Sequence, residues 1–270
     1  MNCLHKALGK EWSITPAGGL TGDAYIAEHQ HKRLFVKRNS SPFLAVLSAE
    51  GIVPKLVWTK RMENGDVLTA QEWLDGRELK PDEMRQERVA DLLHKIHHSS
   101  ELLHMLMRLG KKAVTPDERF VMIQKHINHH HVLSTDDEVR TAIHILQKLL
   151  PATRRQKQVV CHCDLNHNNL ILTEQGDLYL VDWDNAMIAD PAIDFGMLLN
   201  KYVPKKDWAD WLKRYGVRQT NNVLKRMYFY LLLDCLNYMN WHFERGERQK
   251  MMERLDELTV LNDRVISTIV

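Results

Sequence analysis

The chain has 270 residues, 44% of them hydrophobic and 27% charged, with 37 basic against 35 acidic side chains for a formal charge of +2. That length and apolar content suffice for the core of one large or two modest domains, and they exclude a disordered, collagenous or low-complexity chain. The near balance of charge provides no electrostatic footprint for a nucleic-acid backbone, and no run approaches the roughly 18 apolar residues of a membrane span, so neither direct nucleic-acid binding nor a span is expected.

The N-terminal MNCLHKALGKEW lacks the apolar core and small-residue cleavage site of a secretory signal. The cysteines are Cys3, Cys161, Cys163 and Cys235. Cys161 and Cys163 are too close for an ordinary disulfide loop and lack the two-residue gap of a zinc knuckle. They read as free thiols, and a cytoplasmic location is expected.

In chain order, the first part is β-rich. Ala24–Glu28 and Arg33–Lys37 flank the polar stretch His29–Lys32 and predict a hairpin. Phe43–Glu50, between Pro42 and Gly51, predicts a short helix. Lys55–Trp58 and Val67–Trp73 predict two strands with an Asn64-Gly65 turn between them. After Asp75-Gly76 the period changes: from about Pro81 to Leu150 it is helical, with Val89, Leu92, Leu93 and Ile96 at steps of three and four. A second β-like patch from Gln158 to Trp183 turns at Glu174–Asp177. Helices resume after Asp194. The organisation is therefore residues 1–75 as a small β-rich lobe and 76–270 as a large helical lobe carrying one embedded hairpin.

The embedded hairpin carries the chemistry. It reads Val-Val-Cys-His-Cys-Asp-Leu-Asn-His-Asn-Asn-Leu from Val159 to Leu170, then Leu-Tyr-Leu-Val-Asp-Trp-Asp from Leu178 to Asp184. Asp164 and Asn169 share a tight polar loop at the ends of apolar strands, where rigid scaffolds present reactive groups, and Asp182 ends the following strand. Two carboxylates and an amide oxygen are hard donors suited to Mg2+ with bound phosphates. A carboxylate not used for the metal is free to orient a hydroxyl nucleophile and accept its proton.

The segment resembles the H-x-D-L-x-x-x-N loop of the protein-kinase-like fold. Val-Asp-Trp-Asp followed by Asp190-Pro191-Ala192-Ile193-Asp194 resembles the aminoglycoside phosphotransferase and choline/ethanolamine kinase superfamily rather than a D-F-G. The runs TAQEWLDGR, HCDLNHNN and VDWDNAM resemble the CcrZ/YtmP-type cell-cycle regulator kinases of Gram-positive bacteria. The resemblance implies an α+β, bilobal protein-kinase-like fold and an ATP- and Mg2+-dependent cytosolic kinase for a small alcohol, a ribose- or 2-deoxyribose-like sugar favoured. It also implies a role linked to cell division or replication initiation, with protein partners there. Choline, ethanolamine, thiamine or an aminoglycoside are the other acceptors, and a nucleotide-binding regulator with little turnover is the alternative class.

By the same resemblance Asp164 is the base, and Asn169 and Asp182 hold Mg2+. Lys37 contacts the α/β-phosphates and is held by Glu50, unless Glu50 is a solvated surface residue. Gly18–Tyr25, with Gly19 and Thr21, is the phosphate-covering turn. Gln71, Glu72, Trp73 and Leu74 form the hinge that bonds adenine. Asp184 touches a second metal or the substrate, or else caps the next turn. Asn166 and His167 face the phosphates or the acceptor. His97, His162 and Asp194 are expected to be structural. His126 and His130 have a zinc-like spacing on a helix, but H-I-N-H-H-H lacks the Glu of H-E-x-x-H, and a solvated helix end is the better reading. Most aromatic residues of the C-terminal part sit at core spacing, with a few left to line an acceptor pocket.

Overall fold

The computed structural model describes residues 2–18 and 23–269. In chain order the elements are α1 (Asn2–Leu8), β1 (Ser13–Pro16), β2 (Ala24–His29), β3 (Lys32–Arg38), α2 (Phe43–Ala49), β4 (Leu56–Arg61), β5 (Val67–Glu72) and β6 (Gly76–Glu78). Helices α3 (Glu87–His98), α4 (Ser100–Arg108), α5 (Pro116–His129), α6 (His131–Ser134) and α7 (Asp137–Thr153) follow. Next come β7 (Val159–Cys161), β8 (Leu170–Thr173), β9 (Leu178–Leu180) and β10 (Met187–Ala189). The chain closes with α8 (Ala192–Tyr202), α9 (Trp208–Tyr215), α10 (Asn221–Glu244) and α11 (Arg248–Thr268). The elements group into two compact units. One comprises residues 1–80, 100–109 and 166–184, and the other comprises 81–99, 110–165 and 185–270.

The first unit is built on a five-stranded antiparallel sheet in the order β1-β2-β3-β5-β4. Period-two alternation turns Leu34 and Val36 of β3 to one face, where they join Ala27, Leu68, Ala70 and Leu4 of α1 in a buried cluster. Lys37, the residue after Val36, falls on the other face. The expected hairpin is present with Ala24 opposite Lys37, and the Asn64-Gly65 turn links β4 to β5, Gly65 lying at φ +90°. A second sheet, β6-β8-β9, holds the β8–β9 hairpin. A side chain at Gly76 would meet the Leu172 carbonyl at 2.8 Å, so glycine is what lets β6 lie against β8. Helix α4 packs on α2 through Leu102, Leu106 and Leu47.

The second unit is helical around α10, whose apolar run Met227–Leu233 is buried almost throughout. Helices α5, α7, α8 and α11 pack on it, and α3 packs on α9. The helix starts are encoded locally. Thr115 and Glu118 form a reciprocal capping box before α5, and the Asp136 side chain accepts from the amides of Glu138 and Val139 at the start of α7. Strand β7 does not join the embedded hairpin as expected. It pairs antiparallel with β10, Val159 opposite Ala189, because three-residue strands carry no register signal of their own.

Gly196 of α8 lies where a Cβ would stand 3.3 Å from the Cα and Cβ of Met227, so the α8–α10 crossing is already closed to contact distance. Gly196→Val is expected to lower unfolding free energy by about 1–3 kcal/mol through overpacking, read from the urea midpoint at constant m-value. An unchanged midpoint would show that the crossing relaxes freely.

Candidate active site

Strand β7 delivers the chain into a turn that its own backbone does not favour: Cys163 lies at φ +64°, a left-handed conformation that costs a residue with a Cβ. A buried carboxylate holds this turn. Asp194, in the first turn of α8, accepts from the backbone amides of His162 at 2.7 Å and Cys163 at 2.8 Å. His97 Nε2 completes the set at 3.0 Å, and His97 Nδ1 is 2.6 Å from the Tyr215 hydroxyl. The Asp194 and His97 side chains are fully buried. Burial pushes the Asp194 carboxyl up, but the bond and charge of His97, with His162 and the Cys163 amide, outweigh it and hold Asp194 below the ordinary carboxylate range. The Asp164 amide donates to Nδ1 of the buried His162, two residues before it, at 3.3 Å. Asp194, His97 and His162 thus brace the turn that carries the half-buried Asp164.

Asp190 fixes the start of α8: its carboxylate accepts from Arg226 Nε at 2.8 Å and from the Ala192 amide at 2.9 Å. Arg226 Nη2 makes a second, shorter bond to it. Among the described residues, the trio of potential metal ligands is His97, Cys161 and Asp194, all buried and lying within 4.8 Å of one another. Its His and Asp atoms are committed to the bonds above. The His126–His131 stretch forms no such group among the described residues. His130 instead packs at a tilt against Phe243, ring centres 4.8 Å apart, and reaches Glu244 at 3.5 Å.

Beyond Leu165 the chain enters the first unit. Asn166 Oδ1 accepts from the Asn168 amide at 3.0 Å, closing a tight turn that contains His167, and the Asn169 amide bonds the Asn166 carbonyl at 3.1 Å. The side-chain oxygen of Asn166 is therefore used within the turn. The Val181 amide donates to the Asn169 carbonyl at 2.8 Å, and Leu170 pairs with Leu180. Hairpin register thus brings Asn169 and Asp182 to the same end of β8–β9. Asp182 is exposed and takes φ +64°, a second left-handed position at a strand end. The donor set of one carboxylate and one amide oxygen on adjacent strand ends fits a hard divalent cation such as Mg2+.

Lys37 Nζ donates to Asp184 at 3.0 and 3.2 Å. Asp184 therefore pairs with the lysine. Glu50, expected as that partner, is the C-cap of α2, its amide bonded to the carbonyls of Ser48 and Val46. Asp184 lies two residues past Asp182, and Trp183 between them packs edge-on against Phe43 at 5.7 Å and donates to the Leu180 carbonyl at 2.7 Å. Along the expected hinge, the amides of Glu72 and Trp73 already donate to the Lys55 and Arg33 carbonyls at 2.8 and 3.3 Å. The Gln71 side chain donates to the Pro54 carbonyl at 2.8 Å, and Arg33 stacks over Trp73. Gly19 and Thr21 lie outside the described residues.

Sequence reading missed a cavity of about 330 Å3 in the second unit. Asp234, Asn237, Tyr238 and Trp241 of α10 line it from one helix face, with Arg119 of α5 and Cys163, the neighbour of Asp164. The signal available was a single acid, Asp234, interrupting the apolar run Met227–Met239. Burial pushes the Asp234 carboxyl up to about 6; Arg254 and Arg119 oppose this, while Asp164 and Glu257 add to it.

Residues 13–230 match the phosphotransferase enzyme family (APH). The choline kinase LicA from Streptococcus pneumoniae is similar in structure, with TM-score 0.69 at 18% identity over 97% of this chain and 96% of that one. A GDP complex of aminoglycoside 2'-phosphotransferase-IIIa has TM-score 0.74 at 12% identity over 97% of each chain. A choline/ethanolamine kinase family protein from Mesorhizobium loti has TM-score 0.65 at 17% identity over 97% of this chain and 91% of that one. LicA is also similar in its AMP complex, with TM-score 0.65 at 17% identity. At these identities the likeness concerns the fold, which is the α+β kinase-like fold expected above.

Asp194→Asn keeps one acceptor oxygen and sets an NH2 donor against at least one of the backbone amides that the carboxylate accepts from. It is expected to cost about 3 kcal/mol or more, measured by chemical denaturation. Because the carboxyl is held below its ordinary value of 3.8, its contribution is present above that pH and lost as pH falls through the depressed folded value. The Asn variant should therefore show a smaller loss of stability on acidification below pH 3.8 than the parent chain. Parallel stability–pH curves would contradict the assignment.

Proposed function

Because the chain belongs to the phosphotransferase enzyme family, we propose that it is an ATP- and Mg2+-dependent small-molecule kinase that transfers the γ-phosphoryl group to a hydroxyl. The observation that carries this reading is the braced turn at Asp164: a buried carboxylate bonded to two consecutive amides, with one half-buried acid presented beside it. Asp164 orients the acceptor hydroxyl and takes its proton as the oxygen attacks phosphorus. Asn169 and Asp182 would hold Mg2+, which when bound neutralises the charge of the β- and γ-phosphates. Phosphoryl transfer asks mainly for positioning and charge stabilisation, and these residues supply it from strand and turn ends.

Residues 1–75 are read as the nucleotide-binding part. Lys37 binds the α/β-phosphates by exchanging Asp184 for them. Its ion pair is half open to solvent, with Asp184 69% exposed, and such a pair is worth at most about 1 kcal/mol, so a polyphosphate displaces it readily. With the Glu72 and Trp73 amides engaged in the sheet, the Leu74 amide and the carbonyls of the Gln71–Leu74 segment are what the hinge offers adenine. The AMP and GDP complexes of similar structures support a nucleotide ligand.

The resemblance to CcrZ/YtmP-type kinases narrows the acceptor to a ribose- or 2-deoxyribose-like sugar and the role to cell division or replication initiation. No helix among the described residues is long and apolar enough to cross a membrane.

Two outcomes test this. ADP release in the presence of Mg2+ should be stimulated by a small alcohol, and Asp164→Ala should reduce kcat by about 10²- to 10⁴-fold with nucleotide binding kept. Absence of stimulated turnover on sugars, choline, ethanolamine, thiamine and aminoglycosides, with ATP still bound, would leave a nucleotide-binding regulator instead. Lys37→Met should raise the KM for ATP about tenfold or more, and an unchanged KM would remove Lys37 from the nucleotide site.

A further inference from the structure

The second unit's cavity has a composition that bears on which alcohol is phosphorylated. Four of its lining residues, Asp234, Asn237, Tyr238 and Trp241, recur at steps of three and four along one face of α10. Arg119 of α5 is a further lining residue, and its guanidinium donates to the Met187 thioether at 3.1 Å. Cys163 also lines the cavity, which therefore opens beside the residue that precedes Asp164.

The wall holds one carboxylate and one guanidinium with two carboxamides, Asn185 and Asn237, and two phenols, Tyr230 and Tyr238, and this set has no net demand for a charged ligand. The aromatic faces point the same way. Trp241 already carries Arg245 at 4.6 Å from its ring centre, and Tyr238 carries Arg254 at 5.2 Å. A quaternary ammonium or a primary ammonium group would have to share these rings with guanidinium groups and approach Arg119 as well. A neutral polyol meets no such repulsion. Its hydroxyls donate to Asp234 and accept from Arg119 and Asn237, and its C–H face lies on Trp241, whose surface is 47% exposed.

We propose that Asp234, set against Arg119, is the specificity-determining residue of the acceptor site, and that it selects a neutral polyhydroxy compound over a cationic alcohol. The inference rests on the kinase reading above and deepens it. Asp234 holds the acceptor by accepting two hydroxyl hydrogens, which requires its ionised form. Burial disfavours that form, and the groups facing it are Arg119 of α5, Arg254 and Glu257 of α11, Asp164 of the turn and Tyr238 of its own helix. Hydroxyl donors from a bound polyol therefore compensate a carboxylate that burial leaves poorly solvated. Its charged fraction grows as pH rises through about 6, so acceptor binding should strengthen over the same interval.

The test is calorimetric titration of the full chain, loaded with a non-hydrolysable ATP analogue and Mg2+. D-ribose, 2-deoxy-D-ribose and glycerol are the neutral probes, and choline and ethanolamine the cationic ones. Binding is read directly, so the result does not depend on turnover. At least one neutral probe should bind more tightly than both cations, with an affinity that rises between pH 5 and 7.5. Asp234→Asn should weaken that binding about 10- to 100-fold and flatten its pH dependence, with the circular dichroism spectrum and nucleotide affinity kept. Arg119→Met should narrow the gap between neutral and cationic probes, which covers the case in which the Asp234 variant fails to fold. Tighter binding of choline or ethanolamine, binding of no probe, or a pH-independent affinity unchanged by Asp234→Asn would each overturn the proposal. ADP release with choline preferred would do so while leaving the kinase reading intact. Acceptor binding without any ADP release would overturn the kinase reading and keep this one.

Discussion

One buried carboxylate carries the architecture of the Asp164 turn. Asp194 is wholly enclosed, and an ionised group in that position is stable only when its lone pairs are filled. They are filled by two consecutive backbone amides and an imidazole, which ties three separate pieces of chain to one point: the start of α8, the end of α3 through His97, and the turn after β7. The left-handed conformation at Cys163 follows from this. A residue with a Cβ stays at φ +64° only where its surroundings over-determine it, and the two amide bonds to Asp194 do so. The Tyr215 hydroxyl, bonded to the far nitrogen of His97, extends the same chain of bonds to α9. Removing any member leaves a buried polar group without its partner, so these residues are coupled rather than additive.

The pair proposed to hold the metal is placed by a different device. Asn169 and Asp182 are brought together by strand register, the Leu170–Leu180 pair and the Val181 amide on the Asn169 carbonyl. A hairpin with a four-residue polar turn and period-two alternation has a register that is hard to slip, since a shift of one would turn Leu170 and Leu180 outward. The proposed base and the proposed metal ligands therefore depend on unrelated local constraints, one a buried charge and the other a ladder.

Legibility in the sequence divides along the same line. The β2–β3 and β4–β5 hairpins, α2 and the β8–β9 turn were readable because alternation, Pro and Gly boundaries and Asn-Gly act over a few residues. The short strands β1, β6, β7 and β10 carry three or four residues each, too few for a period, and the pairing of β7 with β10 is a long-range choice that no local pattern records. The adjoining helices α3 and α4 read as one continuous helical stretch, yet they belong to different compact units. At the site, Asp164, Asn169 and Asp182 stood out because they are polar residues at the ends of apolar strands. The partner of Lys37 did not, because Glu50 and Asp184 are equally plausible by type, and only the folded chain shows that Asp184 is the one within 3.0 Å.

Asp234 escaped the reading for the opposite reason. In sequence it is one acid in an apolar helical run, and that pattern is usually a solvated edge of a core helix. Its meaning depends on what other helices bring to the same space, namely Arg119 from α5 and Arg254 from α11, neither detectable by spacing along α10. The cavity also distinguishes two ways of recognising an alcohol. An aromatic box works by ring faces left open to a cation, whereas here each of Tyr238 and Trp241 already carries a guanidinium on a ring face. Aromatic residues in the wall are therefore not by themselves a sign of a cationic ligand. What decides is the charge already facing them, and this cavity is lined by both a guanidinium, Arg119, and a carboxylate, Asp234.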